Sequence, residues 1–235
     1  TIDGGADIDT VSYASDPNGV IVDLSGSDVT VGSETVASGT ARDGWGSIWN
    51  LQGIDTLISI DNIEGSSFND TLIGNAGDNV IIGGDGDSLV GGAGNDTYRI
   101  FPTEDHEPVT TNIYDESGSD HIVVVTNGLD IEDIGVVRSG DNLDIGPGFL
   151  IVQNHFIAGH AVEDFQFEGG ATAFGYALGT GTYNLATTLT GGTGNDVVLT
   201  LVDPYTVITT EGAMRLRALD QARLIAGELG QALEF

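Results

Sequence analysis

The sequence predicts an all-β chain that winds back on itself in short, regular coils. Three observations carry that prediction. A nine-residue period runs without interruption through much of Gly65–Arg99, its turns are built from the abundant glycine (36 of 235 residues), and a large apolar residue recurs at one fixed place in each nine. A fixed period decides architecture before any local propensity does.

Gly65–Ile73 reads GSSFNDTLI, Gly74–Ile82 GNAGDNVII and Gly91–Arg99 GGAGNDTYR. Each fits G-G-x-G-x-D-x-U-x, with U a large apolar residue, and the last fits completely. Gly83–Val90 (GGDGDSLV) is one residue short, so either its loop is distorted or Asp87 serves as its aspartate from a shifted position. Further copies lie outside the block: Gly4–Ser12 (GGADIDTVS), Gly191–Leu199 (GGTGNDVVL), and the partial matches Asn50–Ile58 (NLQGIDTLI) and Asp115–Val123 (DESGSDHIV). Nine residues divide into a six-residue turn and a three-residue strand. Glycine serves where φ is positive or where carbonyls converge without a Cβ in the way. Residue U points inward because alternate strand residues face opposite sides. Two nonapeptides complete a coil of 18 residues, so turns 18 apart stack on one edge and Leu72, Ile81, Leu89 and Tyr98 form the inner seam.

Charge points the same way. Asp and Glu number 36 against 6 Arg, a formal net charge of −30, with 40% apolar residues, enough for a core. A folded body so acidic repels itself unless cations from outside neutralise part of the charge. Without lysine there is no Walker-type phosphate loop, no Schiff-base chemistry and no lysine-rich patch, so no nucleic-acid partner is expected. Without cysteine there are no disulfides, thiolate nucleophiles or zinc–thiolate sites. No apolar run approaches the roughly 18 residues of a spanning helix, so no membrane insertion is expected. Thr1 in place of an initiator methionine is read as the start of a fragment or a processed end.

The repeats resemble those of the RTX (repeats-in-toxin) haemolysin-type calcium-binding family. The resemblance covers residues 1–100 most strongly and implies a parallel β-roll, with Ca²⁺ held between stacked turns by Asp carboxylates and Gly-loop carbonyls. Carried over by position, Asp70 and Asp87 share one edge, and Asn79 and Asp96 the other. The implied metal-site residues are Asp9, Asp55, Gly65, Asp70, Gly74, Asn75, Gly77, Asn79, Gly83, Gly84, Gly86, Asp87, Gly91, Gly92, Gly94, Asp96, Asp120, Gly192, Gly194 and Asp196. Asn79 departs from the motif and Asp87 is off register. The donor chemistry agrees, since Ca²⁺ is a hard cation that takes six to eight oxygens, whereas softer metals want His or Cys.

Within the roll, residues 13–64 read as lengthened coils, with an insertion at about 13–50. Val20–Leu24 and Val29–Val31 alternate as strands. Counting strand, turn, strand, turn from Asp55 returns to the same edge at Asp70, so these two aspartates are expected to share a calcium. The run GIDTL, NIEGS and FNDTLIGN is similar to sequences common in RTX proteins. Arg42–Trp49 holds both tryptophans, Trp45 and Trp49, read as covering the open end of the roll in preference to a ligand- or glycan-stacking platform.

Residues 101–203 read as a β-rich capping segment with a further repeat at 191–199. Strands are predicted at 122–126, 134–138, 143–145 and 149–152, with Ser139–Asn142 as a tight hairpin turn, and Gln166–Gly169 closes the segment. The spacing of RSGDNLDI, FLIVQNHF and VEDFQFEGG looks like the haemolysin-type-related segment that often follows RTX repeats, and its expected role is to cover a strand edge.

No catalytic constellation is visible. His106-Glu107 lacks a second histidine at position 110, no G-x-S-x-G occurs, and the Asp85–Asp96 stretch fails the EF-hand pattern at its sixth and twelfth positions. His155 and His160 are read as surface or packing residues before zinc ligands, and His121 as solvent-facing. At the C-terminal end, 204–235, Ala218, Ala222, Ile225, Leu229 and Leu233 recur at helical spacing and Glu211 precedes Arg215 by four. A short helix is expected, read as an uncleaved type I secretion signal at 211–235 in preference to one that merely packs on the roll. The resemblance implies a bacterial secreted or cell-surface protein, loose in the cytosol and folded by extracellular calcium after type I export. A large adhesin or surface protein is the expected parent. The alternative is the tail of an exported hydrolase, a metalloprotease or lipase, whose catalytic domain lies upstream.

Overall fold

The computed structural model describes residues 1–43, 53–102, 110–125, 136–145 and 149–162, and the strands Asp164–Glu168, Ala171–Ala173, Tyr176–Leu178, Thr182–Leu185 and Leu199–Leu201. It is all-β, with no helix among the described residues. The alternation of six-residue turns and short strands sends the chain back and forth between two sheets. In the first, Thr10–Ser12, Asn62–Glu64, Val80–Gly84, Thr97–Phe101, His121–Val125 and Asp164–Glu168 lie side by side, every neighbouring pair parallel. In the second, Ile21–Asp23, Thr71–Ile73, Ser88–Val90, Thr111–Tyr114 and Leu150–Gln153 do the same. This is a parallel β-roll.

Register follows the apolar position of the repeat. Val11, Ile63, Ile81, Tyr98 and Ile122 are aligned across the first sheet, and Val22, Leu72, Leu89, Ile113 and Val152 across the second. All ten are buried in one core cluster, the predicted seam Leu72, Ile81, Leu89 and Tyr98 among them. Each such side chain contributes roughly 1.5–3 kcal/mol by leaving water. Because a one-residue slip turns every inward side chain outward, these two columns fix the stacking.

Coil length varies around the expected 18. Successive coils are 18, 17 and 24 residues apart at Asn62–Val80, Asn79–Asp96 and Asp96–Asp120. The 17 reflects the short turn at Gly83–Asp87. The parallel stack continues past residue 100 as far as Glu168, its later coils enlarged by longer connections and by the antiparallel hairpin Val136–Ser139/Asn142–Ile145, which turns at Gly140 (φ +66°) as its sequence predicts. Thr182–Leu185 and Leu199–Leu201 continue the first sheet beyond Asp164–Glu168 in antiparallel fashion.

The N-terminal third is arranged differently from a simple lengthened coil. Thr10–Asp23 is itself a coil, laid directly on Asn62–Ile73, about fifty residues later in the chain. Residues 24–43 and 53–61 branch off its far side: the hairpin Val29–Val31/Glu34–Val36, then Thr40–Arg42 antiparallel to Ile21–Asp23, then Ile54–Ile58 antiparallel to Thr40–Arg42, with Ile2–Asp3 alongside it. Trp45, Trp49, His106, residues 191–198 of the repeat at 191–199 and the expected helix at 204–235 lie outside the described residues.

Candidate metal centre

Each turn ends on the residue that precedes a strand, and the roll stacks those residues in two columns. On the edge leading into the first sheet they are Asp9, Asp61, Asn79, Asp96 and Asp120. On the opposite edge they are Val20, Asp70 and Asp87, with Thr111, the first residue of its own strand, next in register. A backbone N–H leaving a turn needs an acceptor once buried, and here the neighbouring rung's side chain supplies it. Asp9 N–H donates to Asp61 Oδ2 (2.9 Å), Asn79 N–H to Asp96 Oδ1 (2.8 Å) and Asp96 N–H to Asp120 Oδ1 (2.8 Å). Across the roll, Val20 N–H donates to Asp70 Oδ1 (2.7 Å) and Asp70 N–H to Asp87 Oδ1 (2.8 Å). A second, exposed ladder runs beside the first, Asn95 N–H to Asp78 Oδ1 and Ser119 N–H to Asn95 Oδ1.

The second carboxylate oxygen turns back into its own loop. Asp70 Oδ2 accepts from Ser66 N–H (2.6 Å) and Asp87 Oδ2 from Gly84 N–H (2.7 Å). Asp96 Oδ2 is buried with no hydrogen-bond partner. The loop's first residue, Gly65, Gly74, Gly83 or Gly91, lies against this position, and a Cβ on Gly91 would overlap Asp96 Oδ2 and the Tyr98 hydroxyl. Gly77 and Gly94 stack backbone on backbone one coil apart, Gly94 at φ +121°, and Gly92 covers the Asn75 carbonyl. Gly86 donates its N–H to Thr111 Oγ1 (3.1 Å).

These carboxyls are crowded and dry. Burial, with neighbouring Asp120 and Asp78 adding to it, pushes Asp96 up to about 7 despite the hydrogen bond from Asn79. Burial likewise pushes Asp87 to about 7, with Asp70 and Asp85 contributing, and raises Asp70 against three hydrogen bonds that favour its ionised form. A divalent cation reverses that pressure by favouring the ionised form. The donor set is oxygen only, carboxylates beside turn carbonyls, and an unpartnered carboxylate oxygen waits in a cradle that a Cβ would fill. These residues fit calcium.

The predicted residues divide on this geometry. Asp9, Asn79, Asp96 and Asp120 come together on one edge, Asp70 and Asp87 on the other. Asp87 reaches register through a turn one residue shorter than the rest. Asp55 is not brought to Asp70: it lies in Ile54–Ile58, three strands from Thr71–Ile73, and accepts from the Tyr13 hydroxyl (3.2 Å). Asn79 uses its amide internally. Its Oδ1 accepts from Asn75 N–H (2.8 Å), and its Nδ2 donates to the Asp61 carbonyl (2.6 Å) and to Asn75 Oδ1 (3.3 Å). That rung offers an amide where its neighbours offer a charge. Gly192, Gly194 and Asp196 lie outside the described residues. Sequence reasoning missed Asp61, Thr111 and Asp115. Asp61 stands one 18-residue coil before Asn79, which the period could have shown. His155 is buried edge-to-face on Phe156, its ring centroid 4.7 Å away, and His160 Nδ1 lies 2.6 Å from the Asp115 carbonyl, so the two serve packing and a backbone bond.

Comparison with known families agrees with this geometry. The RTX calcium-binding nonapeptide repeat matches in four copies, over residues 55–90, 64–98 and 184–200. No curated protein sequence matches the chain. RTX nonapeptide repeats bind Ca²⁺, and the matched residues 64–98 are those that build the stacked edges around Asp70, Asp87, Asn79 and Asp96. The chain thus carries RTX calcium-binding nonapeptide repeats, and those at residues 64–98 are wound as a parallel β-roll.

Proposed function

We propose that this chain is a calcium-folded module of a bacterial protein exported by a type I system, with a large adhesin or surface protein as its parent. The observation that carries the reading is the pair of buried carboxylate columns, in which Asp70, Asp87, Asp96 and Asp120 are each no more than 3% exposed. Buried carboxylates without cations oppose folding, so in calcium-poor cytosol the turns repel and the chain stays loose enough to thread an exporter. Millimolar extracellular calcium fills sites that exist only between stacked coils, and binding energy becomes folding energy. The module's own role is structural, and residues 211–235 address the exporter.

Far-UV circular dichroism at pH 8, in chelator and in millimolar calcium, tests the folding switch. A β spectrum that appears only with calcium supports it, and identical spectra refute it. Deleting residues 211–235 should abolish export while leaving calcium-driven folding intact, and normal export of the truncated chain would remove the signal reading.

A further inference from the structure

The repeat Asp115–Val123 differs from the others at its first residue. Where Gly65, Gly74, Gly83 and Gly91 bring bare backbone against the end of the turn, Asp115 brings a carboxylate. It is 3% exposed, and its Oδ2 accepts from the Tyr98 hydroxyl at 2.6 Å. Tyr98 is fully buried in the core seam, so it aims that carboxylate from a fixed base. The Asp115 carbonyl is tied to His160 Nδ1. One ligand atom from each of Asp96, Asp115 and Asp120 lies within 4.8 Å of the others, and all three residues are buried. Oxygens so spaced fit around one ion with Ca–O distances of about 2.3–2.6 Å.

A second observation points to a ligand independently of this clustering. Asp96, 1% exposed, leaves its Oδ2 without a hydrogen-bond partner. That oxygen faces Gly91, where a Cβ would overlap it and come within 2.9 Å of Asp115 Oδ2. The unpartnered oxygen and the extra carboxylate therefore address the same space.

We propose that Asp96, Asp115 and Asp120 form a three-carboxylate calcium site, set apart from the ordinary repeat sites by the anionic oxygen of a first-position residue, and that it is the tightest site of the roll. The proposal rests on the calcium reading of the roll. Ligand charge count is one of the levers that tune calcium affinity, and no other first-position residue of the tandem repeats carries a charge. Tyr98 acts as a positioning residue through its bond to Asp115.

Calcium titration calorimetry on the full chain, comparing wild type with D115N and D115G, tests it. The tightest class of sites should weaken by about tenfold or more in both variants, while the remaining classes keep their dissociation constants within about twofold. D115G restores the consensus residue and should leave an ordinary repeat site behind. An unchanged tightest class in D115N overturns the proposal alone. A wild-type chain that takes up no calcium overturns the calcium reading and this site with it. Should the Asp115 variants fail to reach the β spectrum in saturating calcium, Y98F decides: a weakened tightest class supports the site, and an unchanged one overturns it.

Discussion

Proton and calcium should compete for the same buried carboxyls, and the sign of that competition can be worked from the structure. Asp87 and Asp96 are held near 7 against an ordinary 3.8, by burial first and by neighbouring acids second. In the calcium-free roll each keeps its proton between roughly pH 4 and pH 7, while the unfolded chain has already lost it. The folded state then binds more protons, so stability falls as pH rises through that window and levels off above it. Between pH 5 and pH 8 each such carboxyl changes stability by about 2–3 kcal/mol, and two together approach the lower end of the net stability of an ordinary domain, about 5–15 kcal/mol. Calcium-depleted protein should therefore show more β structure and a higher melting temperature at pH 5 than at pH 8, and calcium should lift the pH 8 sample far more than the pH 5 sample. Far-UV circular dichroism with thermal melts at both pH values, with and without millimolar calcium, measures all four states. Calcium-free protein that is as stable at pH 8 as at pH 5 would refute the reasoning, because the carboxyls would then be ionised at no cost.

Three substitutions, one of them with a matched control, probe the geometry separately. Gly91→Ala pushes a Cβ into Tyr98 and Asp96 and should cost about 1–3 kcal/mol, read as a lower melting temperature in calcium, whereas Gly26→Ala meets nothing within 4 Å and should stay within about 0.5 kcal/mol of wild type. Ile81→Ala empties the middle of the first-sheet column and should destabilise by about 2–5 kcal/mol, raising the calcium concentration needed for folding. Asn79→Asp removes the donor that serves the Asp61 carbonyl and adds a charge to the column. The calcium-free chain should lose stability and calorimetry should show stronger calcium uptake; unchanged uptake would mean that this rung never approaches an ion.

What could be read in the sequence was whatever repeats locally. The seam Leu72, Ile81, Leu89, Tyr98 and the alternation of edges follow from nine-residue spacing, because one apolar position per repeat can face only one way. The partner of Asp70 could not be read that way. Counting from Asp55 treats sequence order as stacking order, yet the coil against Asp70 comes from residues 10–23, fifty positions upstream. Such non-local pairing is set by which apolar column completes the core, and Val11 and Val22 complete it. Asp115 escaped notice for a related reason. Its repeat scores poorly against the motif because its first residue is acidic, and only the 24-residue coil that seats it beside Tyr98 reveals where that carboxylate goes.

The two edges solve the same problem with different chemistry. At Thr111 a neutral hydroxyl takes the place of the carboxylate: Oγ1 accepts from Gly86 N–H (3.1 Å) and donates to the Gly84 carbonyl (2.7 Å), joining donor and acceptor of the adjoining turn without any charge. At the other end of that column Val20 presents only backbone. The second-sheet edge is therefore acidic for two rungs, Asp70 and Asp87, and neutral beyond them. The first-sheet edge is acidic at Asp9, Asp61, Asp96 and Asp120, broken only by the amide of Asn79, and Asp115 adds a further carboxylate beside Asp96 and Asp120. Demand for cations is thus concentrated on one edge and rises toward residues 96–120. Calcium should order that part of the roll at lower concentration than the coils around Asp70. Hydrogen exchange at increasing calcium can follow this coil by coil: amides of Thr97–Phe101 and His121–Val125 should become protected before those of Ile21–Asp23 and Thr71–Ile73. Protection arriving in the reverse order would mean that packing of the seam, rather than the density of carboxylates, decides where the roll begins.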